Sequence, residues 1–376
     1  MIISLDCIQV LKRYLLVFFC SIGSIFAYSG FAIRVNYNEL ATFVFLILVF
    51  FELFATISKN TKFPYIILIY GIILLSYATY TYLCYACVSQ ITNYVTIFLA
   101  PAFVYIFGTI RWQQYGYSFM GVALSSISVV CILLLVPGMP LSGWNPNSSI
   151  CVLPSLMLGS GLLVLSGGKN NIRINIIFQV CALFLILRLE NRSSFLSLAI
   201  FNLILLSKLY LKRSFCVLLS AGTLLLNVAL PVFQTVLTKF SLFETISNTL
   251  YQMFGKSALN GREKIWPLAM NYISANPIFG TVESRNIYFH NLSIDIMLFA
   301  GSFGLFLWIT YMFFIVLRAA KSNESSNIFL VAFALTIFLN TFENVYIVNN
   351  YFTPLPYALL ALPLYLKRRN LSYEKR

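Results

Sequence analysis

Apolar runs of about 20 residues follow one another along the chain, and each is long enough to cross the hydrocarbon of a bilayer as a helix. Of the 376 residues, 60% are hydrophobic and only 10% are charged. Soluble domains carry about 25% charged residues and break up their apolar runs. A soluble globular enzyme is therefore excluded, as is a disordered, collagen-like or coiled-coil chain. A transmembrane barrel would alternate over segments of about ten residues instead. The fold class that remains is an all-α integral membrane protein. A net charge of +14 raises the question of nucleic acid, but the basic residues come in ones, twos and threes between apolar runs. That distribution is a topology signal.

Twelve spans are expected, at roughly 14–33, 40–57, 63–83, 91–110, 119–136, 151–166, 174–189, 193–211, 214–235, 292–317, 328–345 and 351–366. With the N-terminus inside, the cytoplasmic segments hold Lys12, Arg13, Lys59, Lys62, Arg111, Lys169, Arg173, Lys208, Lys212, Arg213, Arg318, Lys321, Lys367, Arg368, Arg369, Lys375 and Arg376, which is 17 of the 25 basic residues. The short outer connections hold only Arg34, Arg188 and Arg192. Five more lie in one long outer segment, where the positive-inside rule is weak. Both termini are expected in the cytoplasm, and the first apolar run reads as an uncleaved helix because no small-residue cleavage site follows it. No internal repeat and no Gly/Ser- or Pro-rich linker divides the chain. Residues 1–376 thus read as a single polytopic domain, with one large outer loop at 236–291.

That loop has its own periodicity. Leu242, Ile246, Leu250 and Phe254 recur every four residues, and Ile265, Trp266, Ala269, Tyr272 and Ile273 form a second stripe interrupted by Pro267. Both stretches read as short amphipathic helices on the outer membrane surface.

Several chemistries are absent. With only Asp6 and Asp295 as aspartates, no metal-binding Asp-x-Asp pair exists, and one histidine, His290, cannot build a multi-histidine zinc site. Gly255-Lys256-Ser257 imitates the end of a P-loop, but Leu250 stands where the earlier glycine is required. Gly159-Ser160-Gly161 lacks the third glycine of a dinucleotide fingerprint and falls inside a span. The eight cysteines lie in apolar segments and read as small hydrophobes; Cys84 and Cys87, at an outer helix end, are too close in helical sequence to bridge without distortion.

The outer face gathers cations. Arg188 and Arg192 are four apart, so a continuous helix would project both from one face. Charges at that depth snorkel, pair (here with Glu190) or line a wet cavity. Arg262 opens the second loop helix with Trp266 one turn on, and a surface pair with Glu263 is its plainest reading. Arg285 precedes His290 by five residues. A lone histidine at a span mouth is most simply a polar interface residue. Guanidinium groups also suit the oxygens of a pyrophosphate and the charge that develops on such a leaving group, and a neutral imidazole can orient or deprotonate a hydroxyl. That combination suits glycosyl transfer from a lipid pyrophosphate without a metal.

His290-Asn291, nine residues, Gly301, two residues, Gly304 resembles the H-[N/S/Q]-x9-G-x2-G pattern of the O-antigen ligase and polymerase superfamily. Arg262 with Trp266, then Asn276-Pro277-Ile278-Phe279-Gly280, and Arg192-Ser193-Ser194 upstream are similar to the family's approach to that pattern. The motifs span residues 188–305. The resemblance implies a GT-C-like fold of about twelve helices in the bacterial inner membrane. It also implies a periplasmic active site that moves a glycan from undecaprenyl pyrophosphate to a hydroxyl with no cofactor. Arg192 and Arg262 would hold the pyrophosphate and His290 would act on the acceptor or the leaving phosphate. Arg285, Asn291 and Trp266 would contact substrate, and Gly301 and Gly304 would allow close helix packing; Arg188, on its charge and geometry alone, and Glu343, near the outer end of its span, are further candidates for substrate contact. A chain-length regulator and a flippase in the same membrane are the implied protein partners. The divergence resembles polymerases, which join the glycan to a new lipid-linked repeat unit. A ligase acting on lipid A-core is the alternative within the family. Glu52, Glu343 and Asp295, as carboxylates in or near spans, keep a polysaccharide flippase or other secondary transporter open.

Overall fold

The structure, a computed structural model, describes residues 73, 76, 114–139, 149–206, 212–255, 259, 261–280, 289–321, 327–342, 347–348, 351–352 and 359–360. Their helices are α1 (Gln114–Leu135), α2 (Ser149–Leu165), α3 (Lys169–Arg188), α4 (Arg192–Leu206), α5 (Arg213–Leu237), α6 (Ser241–Phe254), α7 (Arg262–Ala275), α8 (Leu292–Ala319) and α9 (Ile328–Leu339). The seven expected spans from 119–136 to 328–345 each overlap one of these helices, but the helix at 328–345 stops at Leu339 and the one at 292–317 is interrupted at Gly301. The first four and the last lie outside the described residues, apart from single positions. Tyr351 and Phe352 do not begin a helix: they pair antiparallel with Ile347 and Val348, Ile347 opposite Phe352 and Val348 opposite Tyr351.

Among the described residues, four stretches are long and apolar enough to cross a membrane: Gly116–Leu135, Lys169–Arg188, Arg213–Gln234 and Ala300–Ala319. Each keeps large apolar side chains on its outside, including Phe119, Ile177, Leu218, Leu225 and Phe306. An outward apolar face is what a helix presents to lipid, and the described residues form an all-α membrane protein.

The shorter apolar helices are the centre. Every residue of α2 from Ser149 to Leu163 is buried, and so is every residue of α9 except Phe338. A helix that is apolar all round has no solvent face and is buried by others. Small residues let these backbones approach, as is usual between helices in lipid. A β-carbon on Gly121 of α1 would lie 2.9 Å from the carbonyl oxygen of Gly159 in α2, and one on Gly161 would lie 2.5 Å from the Phe329 ring of α9. The glycine pair that imitates a nucleotide fingerprint is thus a packing surface facing two helices.

Contacts also sort the helix ends. Ser149 and Ser194 bring the starts of α2 and α4 within 3.2 Å, and Leu292 N–H donates to Asn340 at the start of α8 and the end of α9. Gly161 against Phe329 puts the start of α9 beside the end of α2. The starts of α2, α4 and α8 and the ends of α3, α5 and α9 therefore share one end of the bundle. Lys169, Arg173, Lys212, Arg213, Arg318 and Lys321 mark the other.

The two loop helices form where periodicity places them but differ in setting. α6 leaves Leu242 and Ile246 exposed, continuing the apolar outside of α5 at Phe233 and Val236. α7 buries Arg262, Trp266, Ala269 and Ile273 and packs on α5 and α8. Lys264, Leu268, Asn271 and Ser274 on its other side are exposed, so α7 is an amphipathic helix whose buried stripe is covered by protein. Pattern alone shows that a stripe is covered and leaves open whether lipid or protein covers it.

Candidate functional site

α7 begins at Gly261, which adopts φ 86°, and its first residue, Arg262, is 8% exposed. The guanidinium donates through Nη1 to the Leu259 carbonyl at 3.1 Å and through Nη2 to the Phe342 carbonyl, and lies 6.0 Å from the centroid of the Phe342 ring. It is therefore a buried brace between the start of α7 and the turn after α9, and the expected solvated pairing with Glu263 does not describe it. Carbonyl oxygens occupy the two described donors where the sequence reading placed phosphate.

One turn on, Trp266 is fully buried and its Nε1 donates to the Phe289 carbonyl at 2.9 Å. This bond latches the indole to the residue before His290. Asn291, on the other side, is equally buried. Its Oδ1 caps α8 by accepting from Ile294 N–H at 2.9 Å, and its Nδ2 donates to the carbonyls of Asn227 and Thr341, both at 3.1 Å. Both amide protons and the amide oxygen are committed to the fold, so Asn291 cross-links α5, α8 and the end of α9.

Asn227 in α5 completes the cross-link. Its Oδ1 accepts from Ser293 N–H at 3.0 Å and from the Ser293 hydroxyl, and its Nδ2 donates to Thr341 Oγ1 at 3.2 Å and to the Ile337 carbonyl at 3.4 Å. The sequence reading missed this residue, whose signal is an amide inside the apolar run Leu-Leu-Leu-Asn-Val-Ala-Leu.

Between the latch and the cap sits His290, half-buried, with φ 56°. A left-handed backbone is strained for a residue with a β-carbon and persists only where its surroundings impose it. Here Trp266 holds the residue before and Asn291 the residue after. The structure thus brings Arg262, Trp266, His290 and Asn291 together where α5, α7, α8 and α9 meet.

Arg188 and Arg192 lie at the same end of the bundle, on the α3–α4 turn. They do not share a helical face as their spacing suggested. α3 ends at Arg188 and α4 begins at Arg192, because Glu190 adopts φ 54° and breaks the helix between them. Arg188 is exposed, whereas Arg192 is half-buried and desolvation draws its pKa below the ordinary guanidinium range. Asn191 caps α4 by accepting from Ser194 N–H at 3.1 Å. Arg285 and Glu343 fall outside the described residues.

Gly301 is not a helical packing residue. With φ 66° and ψ −177° it interrupts α8, so Leu292–Ala300 is a short half-helix before the long crossing segment. The 276–280 turn docks into the break: the Pro277 carbonyl accepts from Ser302 N–H and Oγ, each at 2.8 Å. A β-carbon at Gly301 would overlap the Ile278 carbonyl oxygen. Gly304 is buried one turn further along. The two glycines of the motif therefore do different work, because the first accepts a conformation and a neighbour that only glycine allows. Among known proteins, no family model, no curated sequence and no solved structure matches this chain.

Proposed function

We propose that the chain is a multi-pass inner-membrane glycosyltransferase of about twelve spans and GT-C-like architecture, with both termini cytoplasmic. In this reading it transfers a growing glycan from undecaprenyl pyrophosphate to the terminal sugar of a new lipid-linked repeat unit at the periplasmic face, as an O-antigen polymerase does. The observation that carries the reading is His290. A polar interface residue needs no bracing, yet this imidazole is kept in a left-handed conformation by a buried tryptophan latch and a buried asparagine cap.

Arg192, half-buried at the same end, is the arginine suited to the donor's phosphates, and Arg188 beside it can reinforce it. Arg262 supports His290 by fixing the end of α9 rather than by meeting substrate. His290 then takes the proton of the acceptor hydroxyl or steadies the leaving phosphate.

The test is a lipopolysaccharide gel of a host lacking the gene, complemented with the wild type or with Arg192→Ala or His290→Ala. Core bearing a single repeat unit in the deletion strain and in both variants is the expected result. Bare core with long glycan accumulating on the lipid carrier would make the chain a ligase. Normal polymer from both variants would remove the site.

A transporter reading draws on one observation: α8 is discontinuous at Gly301, and Asp295, 5% exposed, lies in the half-helix before the break. Broken helices and buried carboxylates line transport sites. Bare core without periplasmic lipid-linked repeats would favour it.

A further inference from the structure

We propose that Glu190 is a substrate-contacting residue of this site, its carboxylate accepting hydrogen bonds from sugar hydroxyls of the bound glycan. The inference rests on the glycosyl-transfer reading and adds a residue to it. Among the described residues, Glu190 and His290 are the two non-glycine positions with positive φ, at 54° and 56°.

The backbone at Glu190 asks for glycine. It follows the end of α3, where Leu189 N–H bonds to Leu185 and Ile186 and Glu190 N–H to Leu187 at 3.1 Å. A left-handed residue at that place is a common way to end a helix, and glycine fills it without strain. The chain carries a glutamate there.

The local plan at Glu190 is also that of His290. Each left-handed residue precedes a buried asparagine, and each asparagine caps a helix by accepting from the N–H three residues on: Asn191 from Ser194 at 3.1 Å and Asn291 from Ile294 at 2.9 Å. The two side chains leave matching backbone positions at the same end of the bundle. Glu190 is exposed between exposed Arg188 and half-buried Arg192. An exposed ion pair with either arginine contributes little and does not offset left-handed strain, so pairing alone leaves the glutamate unexplained. A carboxylate that accepts from hydroxyls, beside guanidinium groups that donate to phosphate, matches a substrate that carries both.

The test places Glu190→Gly, Glu190→Asn and Glu190→Asp in the deletion host, with His290→Ala alongside, and follows polymer on the gel and thermal unfolding of each purified protein. Glycine and asparagine both tolerate the left-handed backbone. Both variants are expected to unfold at the wild-type temperature or above it, with polymer reduced by about tenfold or more. Aspartate, which keeps the carboxylate, should restore most of it. Full polymer from the glycine and asparagine variants while His290→Ala is inactive would overturn the proposal and leave the glycosyl-transfer reading standing. Unfolding of both below the wild-type temperature would overturn it by removing the strain premise. Full polymer from His290→Ala would bring down the functional reading and this proposal with it.

Discussion

At the scale of single residues, the two arginines that the family resemblance treats alike are different objects. Arg262 is a buried donor to two carbonyls, so Arg262→Ala removes the guanidinium bond to the Phe342 oxygen, leaves the Leu259 oxygen only the residue-262 amide, and should cost about 1–3 kcal/mol of stability, seen as a lower unfolding temperature in detergent. Arg192→Ala should leave the unfolding temperature within experimental error and still abolish polymer. A normal unfolding temperature for Arg262→Ala would show that its bonds to carbonyls are not what the site depends on. Trp266→Phe keeps an aromatic ring but loses the bond to Phe289 and leaves part of the indole's space empty, so about 1–3 kcal/mol of stability and much of the activity should go together. The sequence made these residues candidates because their types suit the chemistry. It did not separate holder from brace, since a guanidinium bonds a phosphate oxygen and a carbonyl oxygen with the same donors.

At the scale of elements, α8 shows how a motif can be read correctly in spacing and wrongly in role. The nine-residue interval from Asn291 to Gly301 is the length of the half-helix, and the glycine ends it because the Ile278 carbonyl lies where a side chain would be. Gly301→Ala should therefore cost about 3 kcal/mol and reduce the yield of folded protein. Ser302→Ala, which loses the hydroxyl bond to Pro277 but keeps the amide one, should cost about 1 kcal/mol. Equal unfolding temperatures for the two variants would show that the 276–280 turn does not depend on the break. Asn227→Leu, which leaves the Ser293 N–H and hydroxyl without their acceptor and removes the bond to Thr341, should loosen α5 from α8 and α9 and lower the unfolding temperature by more than Ser302→Ala. Helix existence was legible throughout this region because apolar runs and stripes are long. The left-handed breaks at Glu190 and Gly301 were not, because no local pattern marks a conformation that distant backbone imposes.

At the scale of the whole molecule, the sorting of helix ends puts the α3–α4 turn, α6, α7 and the end of α9 opposite the basic ends of α3, α5 and α8. With native cysteines replaced, Glu190→Cys and Ser241→Cys should react with a membrane-impermeant maleimide from the periplasm, whereas Ser214→Cys should react only after the membrane is opened. Labelling of all three from one side would refute the antiparallel arrangement. Residue order alone makes this chain one of long apolar runs suited to helices in a bilayer, cationic, with a single histidine in a late loop. These follow from run length and composition, which act locally and against the solvent. It took the packed helices to show that α2 and α9 are enclosed, that protein covers the apolar stripe of α7, and that Asn227, Trp266 and Asn291 brace His290. In an apolar chain every helix face is equally willing to meet lipid. Which face meets protein is therefore settled by small-residue packing and by the few amides that must find one another across helices.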